Sequence, residues 1–135
     1  MTNRPFPSAY QEFVTLFNRG AFWDSHEVLE DAWRAAGSDF YQGLILVASA
    51  FVHVERRNAH GVRAQLAKAA ARLEPYRPSH LGMDVAGLLA ACAAAREAVE
   101  RGVWPEAPRL ALEPALARGD EPEWRAPLEP PRPDA

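Results

Sequence analysis

The chain has 135 residues, of which 48% are hydrophobic, and a formal net charge of −3. This length suits one domain with one core that folds without disulfides or a structural metal. Residues 1–102 carry eleven basic and eleven acidic side chains, so we expect no general affinity for nucleic acid.

Cysteine usage and hydropathy indicate the compartment. Cys92 is the single cysteine, so an intrachain disulfide is excluded, as is typical of a reducing cytoplasm. No basic region followed by an apolar signal core begins the sequence. The longest apolar run, at residues 43–54, is too short to span a bilayer. We expect a cytoplasmic protein without a membrane partner.

Apolar residues that recur with a period of about 3.6 predict five helices. These are expected at about residues 8–19, 22–36, 39–57, 59–74 and 85–101, with Asn58 capping the fourth helix and Asp84 the fifth. The third helix is apolar almost all round, which places it at the centre of a bundle. The chain is rich in Ala, Leu and Arg and poor in β-branched residues, which favours helix over sheet. The sequence therefore predicts an all-α fold, a single compact bundle of about five helices.

The composition changes after residue 102. Eight of the 12 prolines fall in residues 103–135, together with four basic and seven acidic side chains. Such a segment cannot sustain helices or strands. We therefore predict a helical bundle domain at residues 1–102 and a proline-rich acidic tail at 103–135, extended or partly disordered. Trp104, Leu110 and Leu112 are expected to anchor its first part, and the stretch after Asp120 is expected to be mobile.

The candidate site lies on the second helix, where His26 and Glu30 are one turn apart. On the helical wheel both fall beside Leu29 and Trp33, on the predicted buried face. The charged face opposite carries Asp24, Glu27, Asp31 and Arg34. A buried, unpaired carboxylate is strongly destabilising, so Glu30 needs a partner, a proton or a cation. Histidine and carboxylate at positions i and i+4 present two ligands on adjoining turns, a common helical arrangement for a divalent ion.

The third helix is expected to supply a further ligand. The short connection makes helices two and three antiparallel neighbours, and folding them back on each other brings His53 and Ser49 near His26. His26, Glu30 and His53 are therefore predicted to converge as metal ligands. Two histidines and one carboxylate with an open position suit Zn²⁺, Mn²⁺ or Fe²⁺ better than Mg²⁺.

Three side chains are predicted to line the pocket: Trp33 as a wall, Gln42 orienting the Glu30 carboxylate, and Ser49 beside the ligands. Two alternatives stay open. In one, His26 hydrogen-bonds Glu30, Ser49 or His53 in a buried polar network that sets helix register without a metal. In the other, the pocket holds a small ligand and no metal.

The remaining residues that could carry chemistry are expected to be packed in the core or exposed to solvent. Cys92 lies on an apolar stripe and is expected to be a packed core residue. His60 and His80 lie at predicted helix starts and are expected to be exposed. Trp23 is expected in the core or at the edge of the bundle. The basic side chains around the fourth helix spread around its wheel, which is typical of a solvated face.

Several stretches resemble the prokaryotic domain-of-unknown-function family numbered 309, or DUF309. Its hallmark is His, three residues, Glu, two residues, then Trp or Tyr, and His26, Glu30 and Trp33 fit it without gaps. Residues 17–22, 40–45 and 58–61 also resemble the family, and the likeness covers about residues 10–75. The resemblance implies a small all-α bundle, suggests a metal-binding motif and implies no established activity. His53 is not part of the motif.

Together these features predict a small helical protein with a divalent-metal site in the bundle core and hydrolase-like chemistry. The alternative is a non-enzymatic interaction or structural module in which the His26–Glu30 pair is a buried hydrogen-bond network. The expected partner is a small molecule or a protein, and the sequence leaves enzymatic activity and homo-oligomerisation open.

Overall fold

A computed structural model describes residues 6–114 of the chain. Within this range five helices confirm the all-α prediction. They are α1 (Ser8–Asn18), α2 (Phe22–Ala36), α3 (Asp39–Glu55), α4 (Ala59–Leu73) and α5 (Val85–Glu100). A 3₁₀ turn at Glu74–Tyr76 and an antiparallel pair, β1 (Ser79–His80) and β2 (Met83–Asp84), connect α4 to α5.

The helix boundaries follow local capping chemistry. The side chains of Ser38, Asn58 and Asp84 each accept a hydrogen bond from a backbone N–H in the first turn of α3, α4 and α5, respectively. Gly37 ends α2 in the left-handed conformation at φ 69°. Helix α3 ends two residues earlier than expected, because the backbone turns out of the helix and reaches φ 58° at Arg57.

Helix α3 occupies the middle of the bundle, as its apolar sequence predicted, and packs against α2 and α4. Aromatic side chains from α1 fill the core beside it, including Tyr10, Phe13 and Phe17. The Tyr10 hydroxyl donates to the Leu81 carbonyl oxygen at 2.9 Å, which ties α1 to the turn between the two short strands. Burial of large apolar side chains such as these, at about 2 kcal/mol each, holds the bundle together.

The connection between α4 and α5 folds inward. His80 is buried, with its ring 4.6 Å from that of Phe40 and 4.5 Å from that of Tyr76 between centroids. The expectation that His80 is exposed was therefore wrong, because the β1–β2 pair turns this residue onto the aromatic core. His60, at the start of α4, is exposed as expected.

Residues 103–113 run without helix over the bundle. Leu110 is 5% exposed, and Trp104 and Leu112 pack against the core, which confirms them as anchors. The Asn18 side chain donates to the Leu110 carbonyl and accepts from the Leu110 N–H, both at 2.8 Å. The predicted behaviour of residues 115–135 lies outside the described residues, and the domain division at residue 102 stays a prediction.

Among the helices of residues 6–114, none combines the length and hydropathy needed to cross a membrane.

Candidate functional site

Helix α2 lies between α1 and α3, and its buried residues are Ser25, Leu29 and Ala32. His26 and Glu30 lie at the edge of this face, with side chains 19% and 25% exposed. The two side chains, predicted to lie on the buried face of the helix, are therefore half-buried. Because α2 packs against α1 as well as α3, its buried arc is rotated away from His26 and Glu30.

His26 lies close to two carboxylates of its own helix. Its Nδ1 atom is 3.7 Å from Glu27 Oε2 and 3.8 Å from Glu30 Oε1. One ligand atom from each of the three residues lies within 4.8 Å of the other two. In the described part of the chain this is the only group of three His, Cys, Asp or Glu residues that meets this distance. We call these three residues the His–Glu–Glu cluster.

The imidazole nitrogen that faces the carboxylates is shielded but unbonded. His26 Nδ1 is inaccessible to solvent and has no hydrogen-bond partner. The separations of 3.7 and 3.8 Å exceed hydrogen-bonding distance, so neither Glu27 nor Glu30 satisfies this nitrogen directly. A buried polar atom without a partner is destabilising and is uncommon in native proteins. The predicted direct hydrogen bond from His26 to Glu30 is therefore absent from this arrangement.

Glu30 has a second partner at the next turn of α2. Its Oε2 atom accepts a hydrogen bond from Arg34 Nη2 at 2.6 Å. This hydrogen bond is the main reason that the pKa of Glu30 is lowered, and it raises the pKa of Arg34. Glu30 is thus ionised at neutral pH, with Oε2 held by Arg34 and Oε1 turned toward His26.

A groove of about 600 Å³ on the surface runs beside this cluster. Five of its eight lining residues carry carboxylates, and Arg34 is its one cationic residue. The lining residues are Glu12, Leu16, Asp24, Glu27, Val28, Glu30, Asp31 and Arg34. We call this surface the acidic groove. Its field attracts cations and disfavours anionic ligands.

The structure does not bring His53 and Ser49 to the cluster, because both contact α4. The His53 ring lies against Gly61, whose added Cβ would be 2.5 Å from His53 Nδ1, and against the Asn58 amide at 3.2 Å. The Ser49 hydroxyl accepts a hydrogen bond from Gln65 Nε2 at 2.8 Å. Pairing the positions of α2 and α3 across their short connection predicts how far along its helix a residue lies. It does not predict how each helix is rotated about its own axis.

The two remaining pocket predictions also concern residues away from the acidic groove. Trp33 and Gln42 are half-buried, Trp33 packs against the hydrophobic core, and neither lines the groove. The hydrogen bond to the Glu30 carboxylate comes from Arg34. The guanidinium therefore holds the carboxylate in the manner predicted for the Gln42 amide.

Sequence reasoning missed two residues at the site. Glu27 was assigned to the charged face, although it directly follows His26 and lies three residues before Glu30, a spacing that places it next to both. Trp23 was expected in the core or at the bundle edge, but it is 54% exposed. Its ring stacks on that of His26, with centroids 5.1 Å apart and planes 6° apart.

The fold and the cluster define a small helical-bundle domain with three potential metal ligands on one helix. Residues 10–65 match the family model described as a domain of unknown function, DUF309. This match supports the resemblance to that family seen in the sequence. The matched range runs from α1 into α4 and contains the whole His–Glu–Glu cluster. No curated protein matches the chain.

Proposed function

We propose that this domain binds one divalent transition-metal ion through His26, Glu27 and Glu30. The observation that carries the proposal is the convergence of two carboxylate oxygens on a solvent-shielded imidazole nitrogen that has no hydrogen-bond partner. A cation between these atoms would satisfy the nitrogen and both carboxylates at once. Glu27 takes the place that the sequence analysis assigned to His53.

The three side chains can surround an ion after the glutamate side chains rotate. Ligand atoms about 2.1 Å from one ion lie about 3.0–3.4 Å from each other in octahedral or tetrahedral geometry. His26 Nδ1 is 3.7 and 3.8 Å from the two carboxylate oxygens. Closing these two gaps by a few tenths of an ångström is not sufficient, because the three ligand atoms are only within 4.8 Å of one another. Rotations of the glutamate side chains would also have to bring the two carboxylate oxygens to this spacing.

The ligand types favour Zn²⁺, Mn²⁺ or Fe²⁺. An imidazole nitrogen suits these ions, whereas Ca²⁺ and Mg²⁺ prefer all-oxygen sites. The two carboxylates balance the charge of one divalent ion, and the carboxylates of the acidic groove raise the local cation concentration.

Three ligands from one helix leave coordination positions open toward the acidic groove. A metal ion with an open position lowers the pKa of bound water and polarises a carbonyl or phosphoryl oxygen. The proposal therefore includes hydrolase-like chemistry, with the acidic groove disfavouring substrates of high negative charge.

A second candidate function is a non-enzymatic interaction or structural module. The 2.6 Å pair between Glu30 and Arg34 favours it, because one carboxylate oxygen is satisfied without a metal. In this case the cluster only stabilises α2, and substitutions in it change stability without removing a cation-binding activity.

Metal titration of the purified full chain separates the two candidates. We expect one Zn²⁺ or Mn²⁺ ion per chain by calorimetry and elemental analysis, with binding abolished in His26→Ala and weakened at least tenfold in Glu27→Gln and Glu30→Gln. His53→Ala and His60→Ala control for histidines outside the cluster. Asp31→Asn controls for charge, because Asp31 lines the acidic groove without belonging to the cluster.

The control variants are expected to bind metal within threefold of wild type. If the wild-type protein binds no more divalent ion than His26→Ala does, the metal proposal is refuted. The second candidate function, a non-enzymatic interaction or structural module, then remains. Loss of binding in His53→Ala with retention in Glu27→Gln would restore the ligand set predicted from the sequence.

A further inference from the structure

Trp23 is an exposed aromatic residue whose position the core does not explain. Its side chain is 54% exposed, and it does not belong to the hydrophobic core or to the residues packed against it. In the described part of the chain its one aromatic contact is with His26. A large apolar ring left half in water without a core contact is informative, because burial would be favourable.

The Trp23–His26 contact is a parallel stack within one helix. The two residues are three positions apart on α2, so their side chains emerge on the same face. The ring planes differ by 6° and the centroids are 5.1 Å apart, which is an offset stack. The stack covers one face of the imidazole, while the imidazole edge that carries Nδ1 faces Glu27 and Glu30.

We propose that Trp23 is a positioning residue for the His–Glu–Glu cluster and sets the plane of the His26 ring for cation binding. This inference rests on the proposed function. Rotation about the Cβ–Cγ bond of histidine is broad, so a free imidazole samples many planes. Stacking on Trp23 restricts the imidazole to one plane, in which two orientations related by a ring flip remain. The two carboxylates favour the orientation in which Nδ1 faces them over the one in which a ring carbon does. The ligand is thereby oriented before the ion arrives.

The variants Trp23→Ala and Trp23→Phe test this role, with Val103→Ala as control. Among residues 6–114, Val103 is the other exposed large hydrophobic residue, and it lies after α5 and outside α2. Outer partners of metal ligands typically change affinity by about 10–100-fold. We expect Trp23→Ala to weaken Zn²⁺ or Mn²⁺ binding about tenfold and Trp23→Phe to restore affinity to within about threefold of wild type. The melting temperature of Trp23→Ala should stay near that of wild type, because the ring is outside the core.

Proton NMR of the metal-free protein gives a second readout. An indole stacked on His26 shifts the imidazole carbon-bound protons upfield, and this shift should disappear in Trp23→Ala and persist in Val103→Ala. Wild-type affinity in Trp23→Ala, or imidazole shifts unchanged by the substitution, would overturn the inference while leaving the metal site intact. Wild-type protein that binds no metal but shows the upfield shifts would instead refute the proposed function, and the positioning role with it.

Discussion

Substitution of Asn18 by alanine should release residues 103–113 from the bundle. The Asn18 amide makes two hydrogen bonds to the backbone of Leu110, each 2.8 Å long, and Leu110 is buried. A neutral hydrogen bond contributes about 0.5–1.5 kcal/mol net, so removing both costs about 1–3 kcal/mol. Taking about 2 kcal/mol, the equilibrium for local detachment increases roughly 30-fold.

Amide hydrogen exchange measures this detachment directly. We expect the Leu110 N–H to exchange about 30-fold faster in Asn18→Ala, while amides in the middle of α3 keep their wild-type rates. Thr15→Ala is the matched control, because Thr15 is exposed on the preceding turn of α1. Equal Leu110 exchange in Asn18→Ala and wild type would refute the argument that this side chain holds the segment down.

Two further predictions concern titratable groups. Because the Arg34 hydrogen bond lowers the pKa of Glu30, the pair stabilises the fold above the unfolded pKa of this carboxyl and is lost as the pH falls through the lower folded value. Arg34→Ala should therefore raise the pKa of Glu30 toward the ordinary 4.5 in an NMR titration, and an unchanged value would contradict the assignment. Burial raises the pKa of the Cys92 thiol to about 12, so a disulfide reagent at pH 8 should label Cys92 in the native protein far more slowly than in the unfolded protein. Equally rapid labelling of both forms would show that the thiol is accessible.

The helices could be predicted because their signals are local. Apolar periodicity located all five helices, and the capping residues Asn58 and Asp84 lie where they were expected. The β1–β2 pair was missed, because each strand has two residues and such a segment has too few positions for an alternating pattern. The buried position of His80 was missed for the same reason.

The candidate site was predicted in part. The sequence identified His26 and Glu30, and the structure places them within 3.8 Å. Residues four positions apart on a helix are neighbours on its surface, so this proximity does not depend on how the rest of the chain folds. The proposed third ligand, His53, depended on how α3 is rotated, and the structure turns His53 toward Gly61 and α4 instead. Glu27 was available from the same local spacing and was overlooked because the helical wheel placed it among the solvent-facing charges.

The order of amino acids by itself determined where this chain forms helices, which helix lies at the centre, and that an imidazole and a carboxyl group occur one turn apart on α2. These properties depend on interactions between residues a few positions apart. Only the tertiary structure decided how far α2 and α3 rotate about their axes, and hence that His26 faces Glu27 while His53 faces α4. Rotation is set by the packing of all neighbouring side chains at once, and the hydrophobic pattern of one helix leaves it undetermined.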